Sequence, residues 1–187
     1  MQLTRRHFIA TGLTVLCPSA VLGHAGLPHT SRDTMTARDV PVRSDVAVDT
    51  IHIFPEYFSL YHVRSPGQAR EYHIAVGEQG RNMSGTTVIQ RKAEWPSWTP
   101  TQNMIRREPN VYAKYAGGME GGPDNPLGAR ALYLYRNGRD TMYRIHGTPQ
   151  PWTIGMAASS GCIRLTNDDV IELYPNVATG TRVTTYV

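Results

Sequence analysis

Ala158-Ser159-Ser160-Gly161-Cys162-Ile163-Arg164-Leu165, with Ile145-His146-Gly147-Thr148 upstream of it, is where this chain declares itself. His146 precedes Cys162 by 16 residues. A cysteine nucleophile needs a base or an imidazolium beside it, because the thiolate is the reactive form. Gly161 removes the side chain next to that sulfur, so backbone and substrate can approach closely. Backbone N–H groups around Ser160, Gly161 and Cys162 can then face a developing oxyanion. Arg164 lies two residues past Cys162; in a strand the two side chains share a face, and a guanidinium there can hold a carboxylate or a carbonyl. Taken singly these residues are ambiguous, since a lone cysteine is usually a small buried hydrophobe. The joint pattern is far more specific.

The surrounding chain has 187 residues, the size of one ordinary domain. Hydrophobic residues make up 40% and charged residues 18%, too apolar a balance for a disordered chain. With only two cysteines, Cys17 and Cys162, a disulfide-rich scaffold and a four-cysteine zinc site are excluded. The net charge of +4 is mild and scattered, which argues against a nucleic-acid partner.

Outward toward the amino terminus, Thr4-Arg5-Arg6-His7-Phe8-Ile9 precedes an apolar run from Phe8 to Leu22 that contains Pro18. That run is shorter than the roughly 20 apolar residues of a membrane span. A basic start followed by such a run reads as a secretory signal. This one resembles the bacterial twin-arginine signal, whose pathway exports folded proteins. Residues 1–25 are thus expected to be a leader cut after Ala25, placing the mature chain in the periplasm without a transmembrane span. Cys17 leaves with it, so Cys162 is the only cysteine of the mature protein, in an oxidising compartment.

Residues 26–45 are polar, contain Pro28 and Pro41, lack periodicity, and read as a flexible tether. The domain is expected over residues 46–187. Val46 to Ile53 suggests a first strand ended by Pro55, and Tyr57–Val63 a second. Tyr72, Ile74 and Val76 alternate with Glu71, His73 and Ala75 as a half-buried strand. Thr86–Gln90 reads as another strand. Residues 92–129 hold five Pro, five Gly and two Trp without a sustained period, a long loop of the kind that is often functional. Ala131–Tyr135 and Met142–Ile145 are strands, with Asn137-Gly138 a hairpin turn. Thr166 or Asn167 caps a short helix ended before Pro175. Thr181–Val187 closes the chain as a strand. The sum is mostly β with one or two short helices.

His146-Gly147 followed by Ser159-Ser160-Gly161-Cys162-Ile163-Arg164 resembles the signature of the L,D-transpeptidase catalytic domain, the YkuD domain. The similarity covers roughly residues 46–187. Glu94-Trp95-Pro96-Ser97-Trp98-Thr99-Pro100, Gly121-Gly122-Pro123-Asp124-Asn125-Pro126-Leu127-Gly128 and Ile145-His146-Gly147-Thr148 resemble the ErfK/YbiS/YcfS/YnhG branch, and Tyr72-His73-Ile74-Ala75-Val76-Gly77 resembles the strand such domains carry early. The resemblance implies a YkuD-type β-sandwich or flattened barrel with a long loop over the active-site cleft. It implies that Cys162 attacks the third-residue carbonyl of a peptidoglycan tetrapeptide stem and releases D-Ala. The thioester then passes to an amine, either of another stem, giving a 3→3 crosslink, or of an outer-membrane lipoprotein lysine. His146 would be general base and acid. Ser160, Gly161, Gly147 and Thr148 would support the oxyanion and the imidazole, while Arg164, Ser159 and, more weakly, Trp98 would meet substrate. No cofactor and no metal are implied.

One departure stands out, because the family motif usually has His where this chain has Ser160. The missing imidazole leaves acylation intact but opens the choice of acceptor, so a carboxypeptidase or hydrolase that resolves the thioester with water is the alternative. A non-catalytic wall-binding module is the alternative of another class, and the intact His146/Cys162 pair argues against it. Trp95 and Trp98 are equally read as packing the loop onto the sheet, and Arg106-Arg107 as a solvated loop. His52, His62 and His73 lack metal-ligand spacing. The glycines at 117–122 lack the following Gly-Lys-Ser/Thr of a phosphate loop.

Overall fold

β-Branched and aromatic runs broken by Gly and Pro turns fold into strands wherever the side chains can be covered on one or both faces. A computed structural model describes residues 4–9, 35–78 and 80–186. Among them lie β1 (Arg38–Pro41), β2 (Thr50–Phe54), β3 (Ser59–Ser65), β4 (Gln68–His73), β5 (Val76–Gly77), β6 (Gly85–Glu94), β7 (Arg130–Arg136), β8 (Arg139–His146), β9 (Ala157–Ser159), β10 (Ile163–Arg164) and β11 (Arg182–Thr185). The helices are α1 (Arg5–Phe8), α2 (Gln102–Arg107), α3 (Pro109–Tyr112) and α4 (Asn167–Leu173).

Nine strands form one sheet in the order β1-β4-β3-β2-β11-β6-β7-β8-β10, and β5 pairs with β9 in a second. The last strand, β11, sits in the middle, parallel to β2 and antiparallel to β6. Alternation sorts the side chains of β2–β4 into two cores. Ile51, Ile53, Leu60, Tyr72 and Ile74 join Leu132, Ile145, Leu165, Val170 and Leu173 in the larger one. Phe54, Tyr61, Val63 and Ala69 pack with Phe8 and Val42 on the opposite face. The mostly β expectation is met. The β7–β8 hairpin turns at Asn137-Gly138, both at positive φ (51° and 74°), as a tight primed turn requires. Thr166 caps α4, its hydroxyl accepting the Asp169 N–H at 3.0 Å.

Three expectations need correcting. The segment expected as a flexible tether is in part a strand: β1 pairs with β4 over Arg38↔Glu71 to Pro41↔Gln68. The polar residues of β1 disguised it, because an edge strand needs backbone partners more than apolar side chains. Residues 71–76 are not half-buried: Glu71, Tyr72, Ile74, Ala75 and Val76 are all buried, because Arg5 and Arg38 lie on Glu71 while Ala75 pairs with Arg164. Residues 92–129 are not all loop. β6 runs to Glu94, and α2 and α3 follow, with the Thr101 hydroxyl accepting the Met104 N–H at 3.2 Å. The leader boundary at Ala25 and Cys17 lie outside the described residues; residues 4–9 are described and pack on the domain.

Candidate active site

The two halves of the quoted motif meet through strand pairing. β10 runs parallel to β8, with Ile163 opposite Ile145 and Arg164 opposite His146. The Leu165 N–H donates to the His146 carbonyl at 2.8 Å, and Arg164 and Ala75 exchange backbone bonds at 2.9 Å each way. Cys162 therefore stands at the mouth of a strand pinned on both sides.

The turn that presents Cys162 is braced from within. The Ser159 hydroxyl donates to the Cys162 carbonyl at 2.6 Å and accepts the Gly161 N–H at 3.0 Å. Gly161 has φ +134°, and a β-carbon there would lie 2.9 Å from the Arg81 carbonyl oxygen and from Cε1 of Tyr143. Only glycine fits on both counts. Gly77 lies so close that its own β-carbon would be 2.9 Å from the Gly161 α-carbon.

The Cys162 thiol is half-buried and reaches the Met142 carbonyl at 3.9 Å. Burial raises its pKa; the Arg144 backbone N–H and the Arg144 and Arg164 guanidiniums pull the other way without winning. His146 is 4% exposed and its Nδ1 lies 2.5 Å from the Gly147 carbonyl oxygen. A carbonyl only accepts, so Nδ1 carries the proton and Nε2 is the basic nitrogen. Burial, aided by Arg164, holds the imidazole down at about 3, although the Gly147 carbonyl favours its protonation. The resting site thus contains a neutral thiol and a neutral imidazole, and no hydrogen bond joins them among the described residues. Such pairs commonly tighten only when substrate arrives.

Arg164 is partly buried, which lowers its pKa, and its charge faces Cys162 and Tyr112. Arg144 is clamped to Asp140 by two bonds of 2.7 and 2.9 Å. Cation and thiol thus share one end of the sheet.

The remaining residues expected in the site fall out as follows. Gly147 has no room for a side chain: a β-carbon would lie 2.3 Å from Oδ1 of Asn167 and 3.1 Å from the Ala129 nitrogen. Thr148 is buried and its hydroxyl accepts the Gln150 N–H at 3.1 Å, bracing the next turn and not the imidazole. Ser159 is spent inside the elbow, which corrects its expected role as a substrate contact. The Gly161 N–H is likewise engaged and is no free oxyanion donor. Ser160 points outward and accepts from Nη2 of Arg107 at 3.1 Å. Trp98 packs edge-on against Tyr112 and Tyr115 and pairs its backbone with Met119, so it holds the overlying segment together.

Some residues beside the site had no part in it in the sequence reading. Asn125, fully buried, donates to the Met119 and Glu120 carbonyls and accepts the Leu127 N–H, fixing the base of the segment that carries α2 and α3. Asn167 accepts the Ala129 N–H at 2.9 Å and ties α4 to the chain beside His146. The Asp140–Arg144 clamp and Arg107 complete the group. No three His, Cys, Asp or Glu side chains gather as a metal site among the described residues, and no helix among them is long and apolar enough to cross a membrane.

Comparison with known proteins gives this geometry a context. Residues 49–185 match the YkuD family, described as the L,D-transpeptidase catalytic domain. "Probable L,D-transpeptidase ErfK/SrfK" of Escherichia coli is 41% identical over 114 residues, 60% of this chain and 35% of that protein. The chain thus spans about a third of that relative's length. "Putative L,D-transpeptidase in ATP synthase subunits region ORF 5" of Fuscovulum blasticum is 33% identical over 198 residues, covering 97% of this chain and 96% of that one. Among solved structures, a Brucella melitensis protein described as "a Probable carnitine operon oxidoreductase" is 49% identical, with TM-score 0.57 over 78% of this chain and 90% of that one. An L,D-transpeptidase from Mycobacterium smegmatis shares the fold at 17% identity, TM-score 0.52, over 74% of this chain and 58% of that one.

Proposed function

This chain belongs to the L,D-transpeptidase catalytic-domain family, and from that premise we propose that it is a periplasmic, cysteine-dependent peptidoglycan L,D-transpeptidase. The observation that carries the reading is the parallel pairing of β8 with β10, which sets His146 beside the strand that Cys162 opens. Nε2 of His146 takes the Cys162 proton as sulfur attacks the third-residue carbonyl of a tetrapeptide stem. The Cys162 N–H, left without an acceptor among the described residues, donates to the oxyanion. Collapse breaks the amide bond to D-Ala, whose amine leaves with the proton held by His146. An acceptor amine then attacks the thioester, His146 removes its proton, and the thiolate leaves and is reprotonated. The acceptor is a second stem, or a lysine of an outer-membrane lipoprotein. A twin-arginine leader delivers the chain to this substrate.

A second reading, in which water resolves the thioester, draws on Ser160, whose outward hydroxyl is held by Arg107 where the family usually has an imidazole. Incubation with disaccharide tetrapeptide separates the two: dimers with a 3→3 bond mark transfer, and tripeptide with free D-Ala marks hydrolysis. A Cys162→Ala protein that still released D-Ala would sink both. Intact-mass detection of a carbapenem adduct on Cys162 excludes a non-catalytic wall-binding module.

A further inference from the structure

The expected leader sequence is not free of the domain. Its Arg5–Phe8 turn lies across the face of β2–β4 that the larger core leaves open. Phe8 is 0% exposed, with its ring 4.8 Å from that of His52, 5.1 Å from Tyr61 and 5.6 Å from Phe54. Arg5 donates from Nε to the Tyr61 hydroxyl at 2.8 Å and from Nη2 to Glu71 at 3.2 Å, and its guanidinium covers the Tyr57 ring at 4.9 Å. The backbone joins in, since the Arg43 N–H donates to the Phe8 carbonyl at 2.9 Å and Ile9 bridges Val42.

The receiving side is built for such a guest. Glu71 is 1% exposed, and it accepts from Tyr61 at 2.7 Å, Ser59 at 3.2 Å and Arg38 at 2.8 Å besides Arg5. A carboxylate buried this deeply needs cationic and hydroxyl partners. The groove continues past Thr4 and Arg5 as a cavity of about 480 Å³ walled by Phe54, Glu56, Tyr57 and Tyr186. It accordingly selects a guanidinium three residues ahead of an aromatic ring, the spacing of Arg5 and Phe8.

We infer that the folded domain carries a docking groove for its own Thr4–Ile9 segment, a releasable clasp that holds Arg5 of the twin-arginine pair until the leader is taken up and removed. This rests on the leader reading proposed above. Arg6 stays outside while Arg5 is held, so full access to the pair requires the turn to lift off. Because the groove is assembled from β2, β3 and β4 together, only a folded domain can hold the turn. Removal of residues 1–25 then empties a site that keeps Glu71 and its aromatic walls.

Amide hydrogen exchange on the full chain tests the docking. Ile9 and Arg43 N–H groups should exchange at least tenfold more slowly than in the same chain with Phe8→Ala, and Glu71→Gln should bring a comparable loss of protection. Carbapenem labelling of Cys162 at an unchanged rate certifies that each variant is folded. Should Glu71→Gln fail that control, Arg5→Gln reads the same contact from the other side. Exchange of residues 5–9 at the free-peptide rate in the unaltered chain overturns the proposal. Amino-terminal sequencing of the exported protein reads the leader separately: a start at Gly26 is expected, and an exported chain that keeps Arg5 overturns release, whatever the exchange result.

Discussion

Replacing Ser159 with Ala strips the turn that presents Cys162 of the hydroxyl that braces it from within. The hydroxyl both donates to the Cys162 carbonyl (2.6 Å) and accepts the Gly161 N–H (3.0 Å), in a residue 2% exposed. Its loss strands one buried donor and one partly buried acceptor, at about 1–2 kcal/mol each, so the expected destabilisation is roughly 2–4 kcal/mol. For a domain of this size that is a fall in Tm of roughly 6–12 °C. Cys162 keeps its identity but loses its aim, so acylation by a carbapenem should slow about tenfold or more, since misplacing a reacting atom by about 1 Å is costly. Ser159→Thr, which keeps the oxygen, should recover most of both losses. The assays are thermal unfolding followed by circular dichroism and the second-order rate of adduct formation by intact mass. A Ser159→Ala protein with unchanged Tm and acylation rate, but a raised KM for stem peptide, would refute the bracing argument and return Ser159 to the substrate.

Three further outcomes are expected. Asn125→Ala should cost about 1–3 kcal/mol, because the buried Leu127 N–H loses its partner while the Met119 and Glu120 carbonyls are partly open to water, and denaturant unfolding reads this directly. Burial holds His52 and His62 at about 4 and His146 at about 3, against 6.5 when unfolded. The unfolded chain then binds protons that the folded one refuses, so stability should fall as pH drops from 6.5 toward 4, by about 1 kcal/mol per imidazole between pH 6.5 and 5.5. Urea midpoints at these pH values check it, and a flat or rising profile would contradict it. Because burial raises the Cys162 pKa and leaves His146 neutral, alkylation by iodoacetamide should climb steadily through pH 9; a plateau between pH 6 and 7 would mean a preformed thiolate–imidazolium pair.

Strands were legible where an apolar or aromatic run ended in a clear turn, as in the β7–β8 hairpin with its Asn-Gly turn. The helix cap at Thr166 was equally plain. β1 was not, because Arg38-Asp39-Val40-Pro41 carries no apolar period and is held by backbone bonds to β4. Nor was the burial of Glu71, which depends on Arg5, 66 positions away, and on Arg38 and Tyr61. In the site, Cys162, His146, Gly161 and Arg164 could be named from type and spacing. Ser159 was named for a different task, because nothing in a sequence tells whether a hydroxyl faces inward or out.

The sequence by itself determined the chemistry on offer: a thiol at Cys162, an imidazole 16 residues ahead of it, and a glycine beside the sulfur. Those are properties of residue type and local spacing, which survive unfolding. Tertiary structure alone decided the charge state, since burial above all pushes the thiol up and the imidazole down. It alone decided which N–H groups face the cleft, because Ser159 consumes one of them, and it alone set Arg5 against a buried carboxylate. Desolvation and hydrogen-bond partnership are properties of packed neighbours, and neighbours distant in sequence exist only after the chain has closed on itself.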